Sequence, residues 1–302
     1  MVYRNFDQIL EAAQKRSLKP RVAVAGAADD HVIEAVLNAH GMGMIRPVFI
    51  GSTSEIKSLI EKMGGVVSDF PIIEAGSNAE CGELAVKLTV ENQADFIMKG
   101  MIDTRDVLKP LVRKENGLHV GRTMTHVALD QIPGMDRLIA LTDGGMVPYP
   151  TLEEKRDVIQ NAVDMFRSFG YETPSVAVLC AVEKVNPKQV ETTDAAALVE
   201  MNRSGLISNC HVVGPISYDI AMSAEIAAAK NYDCAFCGQF DILVVPTMVA
   251  GNLLNKSLTV SAGALMTGVI LGAKIPVAVT SRSSSVQEKL LSLALAPLIV
   301  KQ

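Results

Sequence analysis

Residues 94–111 read ADFIMKGMIDTRDVLKPL. An unbroken apolar run, Phe96 to Met98, ends on Lys99-Gly100, and a predicted helix carrying Arg105 and Lys109 comes next. The run does not alternate apolar with polar, so a strand there needs cover on both faces, as strands of a parallel sheet between helical layers have. The same kind of run recurs at Val22 to Ala25, Val48 to Ile50, Leu138 to Thr142, Val176 to Cys180, Val212 to Val213, Ile242 to Val245 and Val277 to Thr280. Amphipathic stretches separate the runs, several with helix start signals: Asp29-Asp30, Thr53, and Thr151-Leu152-Glu153-Glu154, a capping box whose helix has Gly170 as its stop. The pattern predicts an α/β protein with a mostly parallel sheet.

Composition narrows the partners. The 302 residues carry a formal charge of −5 and no basic patch or tail, so nucleic acid is not an expected partner. Apolar residues make up 49%, enough for a substantial interior. The opening MVYRNFDQILEAAQKRSLKP is charged throughout and is not read as a secretion signal, which predicts a cytoplasmic protein. The most apolar stretch, Ser257 to Thr280, is broken by Lys274 and Pro276, and reads as a buried helix and a buried strand rather than a membrane span. Five cysteines, at 81, 180, 210, 234 and 237, are expected as reduced thiols; Cys234 and Cys237 have the spacing of half a zinc site, but no second pair accompanies them, so no metal is expected.

Ligands of open α/β sheets sit beyond the carboxyl ends of strands, which directs attention to the residues that end the runs. These are Gly26, Lys99-Gly100, Asp143-Gly144-Gly145, Pro246 with TMVAGN, and Ser281-Arg282. The last is the most telling. In PVAVTSRSSSVQEKL (276–290) a strand gives way through hydroxyl residues to a helix, offering backbone amides, a helix N-terminus and a guanidinium together, the parts of an anion site. The loop AGAADD lacks the G-x-G-x-x-G spacing and has two carboxylates where a pyrophosphate would lie, so a dinucleotide site there is not expected. His126 reads as a hydrogen-bonded structural residue, and no nucleophile elbow, Walker loop or metal-binding carboxylate cluster is visible.

Together these strand ends resemble the phosphate acetyl/butyryltransferases, and more closely their butyryl branch. The motifs are ADFIMKGMIDTRDVLKPL, LTDGGMVPYPT (141–151), EKVNPK (183–188) with TDAAALVEM (193–201), GPISYDIAMS (214–223), VVPTMVAGNLLNK (244–256) and TSRSSSVQEKLLSLALA (280–296), in order over nearly the whole chain. The resemblance implies reversible transfer of a short-chain acyl group between coenzyme A and inorganic phosphate, as in fermentation, giving an acyl phosphate. Coenzyme A is then a substrate and no tightly bound cofactor is expected. It implies a homodimer with a fold like isocitrate and isopropylmalate dehydrogenases: two three-layer α/β/α lobes with a cleft between them, residues 1–142 plus 269–302 forming one and 143–268 the other.

It also implies roles. Arg282 would grip phosphate, Ser281 would hydrogen-bond the acyl carbonyl or its oxyanion, and Glu288 falls where related acetyl enzymes have an aspartate proposed to deprotonate the thiol. Lys109 aligns with a phosphate-side arginine, with Arg105 one turn earlier on the same helix. Lys99, Asp143 and Asn252 complete the expected substrate contacts. The alternatives are an acetyl-specific enzyme, a non-catalytic coenzyme A or acyl-phosphate sensor of the same fold, and a metal-dependent dehydrogenase, which would need an aspartate cluster and a nicotinamide site absent from the motifs.

Overall fold

The computed structural model describes residues 2–300. The chain divides into two compact units, one of Phe6–Gly121 with the chain from Thr267 onward, the other of Arg122–Met266 with the residues before Phe6. The division differs from the expected one. Gly121/Arg122, rather than 142/143, is the first boundary, because the strand Thr125–Gln131 pairs antiparallel with Leu138–Thr142 and both strands belong to the second unit.

In the first unit, β1 (Arg21–Ala25), β2 (Arg46–Gly51), β3 (Ile72–Glu74) and β4 (Phe96–Lys99) run parallel in the order β3-β2-β1-β4. The helices between them are α2 (Asp30–Gly41), α3 (Thr53–Lys62) and α4 (Asn78–Val90), after an opening α1 (Phe6–Lys15). The chain moves outward through β1, β2 and β3, then jumps back past β1 to lay down β4. Because such crossovers are right-handed, the reversal puts α4 on the opposite face from α2 and α3 and leaves a switch point between β1 and β4, where ligands of such sheets bind.

The C-terminal segment enlarges this sheet. β11 (Val277–Ala278) lies parallel beside β4, Ala278 opposite Met98, and β10 (Leu265–Leu271) runs antiparallel to β11. Ser281-Arg282 therefore leave the sheet at the edge where Lys99 ends β4. The last helix, α11 (Val286–Ile299), packs on α1 and α2, and α5 (Thr104–Leu111) packs on α4 so closely that a Cβ on Gly82 would stand 2.0 Å from the Asp106 carbonyl oxygen.

The second unit orders its strands β5-β6-β9-β7-β8: β5 (Thr125–Gln131), β6 (Leu138–Thr142), β7 (Ser175–Leu179), β8 (His211–Ile216) and β9 (Ile242–Val244), all parallel except β5. Helices α6 (Leu152–Ser168), α7 (Val190–Arg203), α8 (Tyr218–Met222), α9 (Ala224–Ala229) and α10 (Met248–Ala262) connect them. Thr151 and Glu154 close the expected capping box on α6, and Gly170 lies just past its end with φ 88°, a left-handed conformation glycine adopts without cost. Its core joins Ile139, Leu141, Ala177, Ile216, Phe240 and Leu243.

Three further differences concern single strands and helices. β3, β5 and β10 are absent from the expected runs; β3 has three residues, while polar residues interrupt β5 and β10, the two strands that run antiparallel. The α3 helix starts at Thr53, with Ser52 rather than Thr53 in the cap position. The stretch from Ser257 does give a helix end and a strand, but the helix is not buried: Val260 is 85% exposed. No helix among the described residues is long and apolar enough to cross a membrane.

Candidate active site

At the β1–β4 switch point the two loops are stitched together. Gly100 N–H donates to the Ala25 carbonyl and Met101 N–H to the Gly26 carbonyl, each at 2.8 Å. A Cβ on Gly100 would lie 2.2 Å from the Gly26 oxygen, so no other residue fits without moving backbone. The stitched loop turns two carbonyls towards Lys99, whose Nζ donates to Gly100 O and Ile102 O at 3.1 Å each. Lys99 is only 6% exposed. Burial, then the positive charges of Lys289 and Arg282, push its pKa down to about 8 against the pull of Asp103.

Lys289 is the second buried ammonium, and the sequence reading did not single it out. It lies on the inner face of α11 with Leu293 and Ala296, and its Nζ donates to Ser281 O at 3.1 Å and Thr280 Oγ1 at 3.3 Å. Burial lowers its pKa, with Asp29 and Glu288 opposing. A lysine interrupting an apolar helical stripe was the available signal.

Arg282 supplies the third cation. Its guanidinium is ion-paired with Asp103, which precedes α5 and makes no side-chain cap bond there. Both side chains are largely exposed, and a pair in that setting contributes little. Ser281 Oγ lies 3.1 Å from Ser283 Oγ, in a turn closed by Ser284 N–H donating to Ser281 O at 3.1 Å.

The helix N-terminus is not the open anion site that the sequence suggests. Ser283 and Ser284 belong to the turn, and Ser285 is the cap residue of α11. Ser285 Oγ accepts from Glu288 N–H at 3.2 Å while Glu288 Oε2 accepts from Ser285 N–H at 2.7 Å, a capping box that places a carboxylate on the helix end. Glu288 is therefore engaged as a cap. Positive charge here comes from side chains rather than from the helix end.

Arg105 and Lys109 stand exposed on α5. Asp143 and Asn252 belong to the second unit and are committed to its own architecture. Asp143 Oδ1 accepts from Gly145 N–H at 2.7 Å and Met146 N–H at 2.8 Å, and Oδ2 from His126 N–H at 3.1 Å, so the buried carboxylate shapes the glycine loop. Asn252 Nδ2 donates to Gly144 O at 3.3 Å. That loop lies against α10 backbone to backbone, since a Cβ on Gly251 would meet Gly144 Cα at 2.8 Å. His126 packs its ring on Gly145, and burial lowers its pKa against the charge of Asp143, favouring the neutral imidazole. No group of three or more His, Cys, Asp or Glu placed to hold a metal ion occurs among the described residues.

Three cations thus gather around the ends of β4 and β11, with one exposed carboxylate on the third. Comparison with known proteins gives the chain's relatives. The model of the family described as Phosphate acetyl/butaryl transferase matches residues 77–297. The chain is 38% identical to a phosphate butyryltransferase of Clostridium acetobutylicum, covering 98% of both chains, and 40% identical to a phosphate acetyltransferase of Thermotoga maritima, covering 96% of this chain and 98% of that one. Among solved structures, a branched-chain phosphotransacylase from Enterococcus faecalis superposes with a TM-score of 0.82 at 31% identity, over 93% of this chain and 99% of the other.

Proposed function

Since the chain belongs to the phosphate acetyl/butyryl transferase family, we propose that it transfers a short-chain acyl group reversibly between coenzyme A and inorganic phosphate, with butyryl the acyl group of choice. The observation that carries this reading is the cluster of Lys99, Lys289 and Arg282, in which the two buried ammoniums donate, among the described residues, only to neutral oxygens. A phosphate dianion beside Arg282 exchanges one weak exposed ion pair for a bidentate one, while Asp103 returns to solvent.

In the forward direction a phosphate oxygen attacks the thioester carbonyl carbon. The C=O electron pair moves onto oxygen, then returns as the C–S bond breaks, and the thiolate leaves to take a proton. Ser281 donates to the developing oxyanion, and Arg282 holds the phosphate in line, with the buried lysines adding positive charge to the site. Glu288 enters as the cap that fixes the start of α11. Asp143 and Asn252 enter by shaping the glycine loop of the second unit.

The homodimer belongs to the same reading. Val249, Leu253 and Val260 on α10 are 50%, 62% and 85% exposed and share one helical face, a stripe that a second copy would cover.

The test is free-thiol release from a panel of acyl-CoAs mixed with phosphate and purified protein. Phosphate-dependent release is expected, greatest with butyryl-CoA among the straight chains, and Arg282→Ala is expected to lower it by at least about a hundredfold with the circular dichroism spectrum unchanged. Full activity in Arg282→Ala would remove the assignment. No thiol release with any acyl-CoA would leave a binding module.

A further inference from the structure

Ser281 and Arg282 lie in a turn between α11 and the two-residue β11, a strand too short to hold their backbone by pairing alone. The turn's remaining constraint comes from α11. Helix α11 is pinned to β10, with Ser292 Oγ donating to Gly268 O at 3.0 Å and Thr267 Oγ1 to the Glu288 carbonyl at 3.3 Å. From that anchored helix Lys289 reaches back eight residues to the Ser281 carbonyl and nine to the Thr280 hydroxyl. An ammonium buried to 2% exposure without a carboxylate partner is costly to the fold. A neutral side chain would fill the same space at less cost, so the charge has to answer another requirement.

We infer that Lys289 is a positioning residue for the phosphate site: its ammonium clamps the Ser281 carbonyl and the Thr280 hydroxyl, fixing where Ser281 and Arg282 point, and adds long-range positive charge to the site of the bound anion. The inference rests on the reading of Arg282 as the phosphate contact. Lys289 does not touch phosphate itself; it acts through the turn and through a field shared with Lys99, Arg282, Asp103, Asp29 and Glu288, the charged groups that surround these two lysines.

Steady-state kinetics separate this role from plain packing. Phosphate and butyryl-CoA are varied in turn with wild type, Lys289→Met, Thr280→Val and Arg282→Ala, and the melting transition of each is recorded. Lys289→Met is expected to raise the KM for phosphate by about tenfold or more, the scale of a lost charge-assisted hydrogen bond, with the KM for butyryl-CoA within about twofold of wild type. Thr280→Val, which removes one of the two acceptors and keeps the shape, is expected to raise the phosphate KM by a smaller factor. A folded Lys289→Met with an unchanged phosphate KM overturns the inference. Should that variant not fold, an unchanged phosphate KM in Thr280→Val overturns it instead. If Arg282→Ala loses phosphate dependence while the other two keep it, the reading of Arg282 stands and the role of Lys289 falls; if none of the three moves the phosphate KM, both fall.

Discussion

Lys99 is charged and buried at once, and the two conditions pull in opposite directions as pH changes. Its pKa is about 8 in the folded protein against 10.5 for an ordinary lysine, with burial the main cause. A lysine shifted down destabilises the fold while it is charged in both states, below about 8. As pH climbs from there towards 10.5, the unfolded chain still holds the proton that the folded chain has released, so stability gains from this group across that window. Phosphate affinity must move the other way, because deprotonation removes a cation from the site. The phosphate KM is thus expected to rise as pH passes about 8 while the contribution of Lys99 to stability improves. Lys99→Met should flatten that part of the KM profile and weaken phosphate binding by about tenfold or more at pH 7, at no loss of stability beyond ~1 kcal/mol. Kinetics from pH 6 to 9.5, with thermal melts at the same pH values, check both trends. A Lys99→Met profile that still bends near pH 8 would assign the titration to another group.

At the scale of elements, the start of α11 decides what Glu288 does. Its carboxylate completes a capping box with Ser285, and glutamine can fill the same position in such a box. If capping is its whole role, Glu288→Gln keeps the helix start and at least about half of the wild-type kcat; a general base would lose roughly a hundredfold or more on that change. Thiol-release rates on the variant distinguish the two, and a large loss of kcat without a change in melting temperature would restore Glu288 as the base. Ser285 and Glu288 carry the spacing of Thr151 and Glu154, which marks the α6 start clearly in sequence. At α11 the same spacing competes with a functional reading of the carboxylate, and only the hydrogen bonds decide between them. The strands show a similar divide. Runs buried on both faces, such as Leu138 to Thr142, are legible to the residue, whereas β5 and β10 mix Thr, His, Asp and Gly with their apolar residues and pair antiparallel. Arg282 is visible because it follows the last apolar run of the sequence; Lys289 is concealed within a helix that otherwise reads as core.

For the whole molecule, the sequence placed the division of the chain at its most irregular loop, DGGMVPYP, and the compact units divide 21 residues earlier in the chain, at Gly121/Arg122. The loop is irregular for a local reason: Asp143 and the two glycines after it must lie flat against His126 and α10. Glycine and proline content thus reports close backbone approach as readily as a domain boundary. The same α10 turns Val249, Leu253 and Val260 outward on one face, with Lys256 between them, and three exposed apolar side chains on one helix face favour cover by a second chain. Burial of that stripe against a symmetry-related copy predicts a solution mass near twice 32.3 kDa. Leu253→Glu replaces the central apolar side chain of that face with a carboxylate and should shift the protein to monomer in sedimentation velocity at micromolar concentration. Because Leu253 is 62% exposed in the single chain, the substitution is expected to change the stability of the isolated chain by no more than about 0.5 kcal/mol. A variant that sediments as wild type would move the contact surface away from α10, and a wild-type protein that sediments as a monomer would remove the dimer altogether.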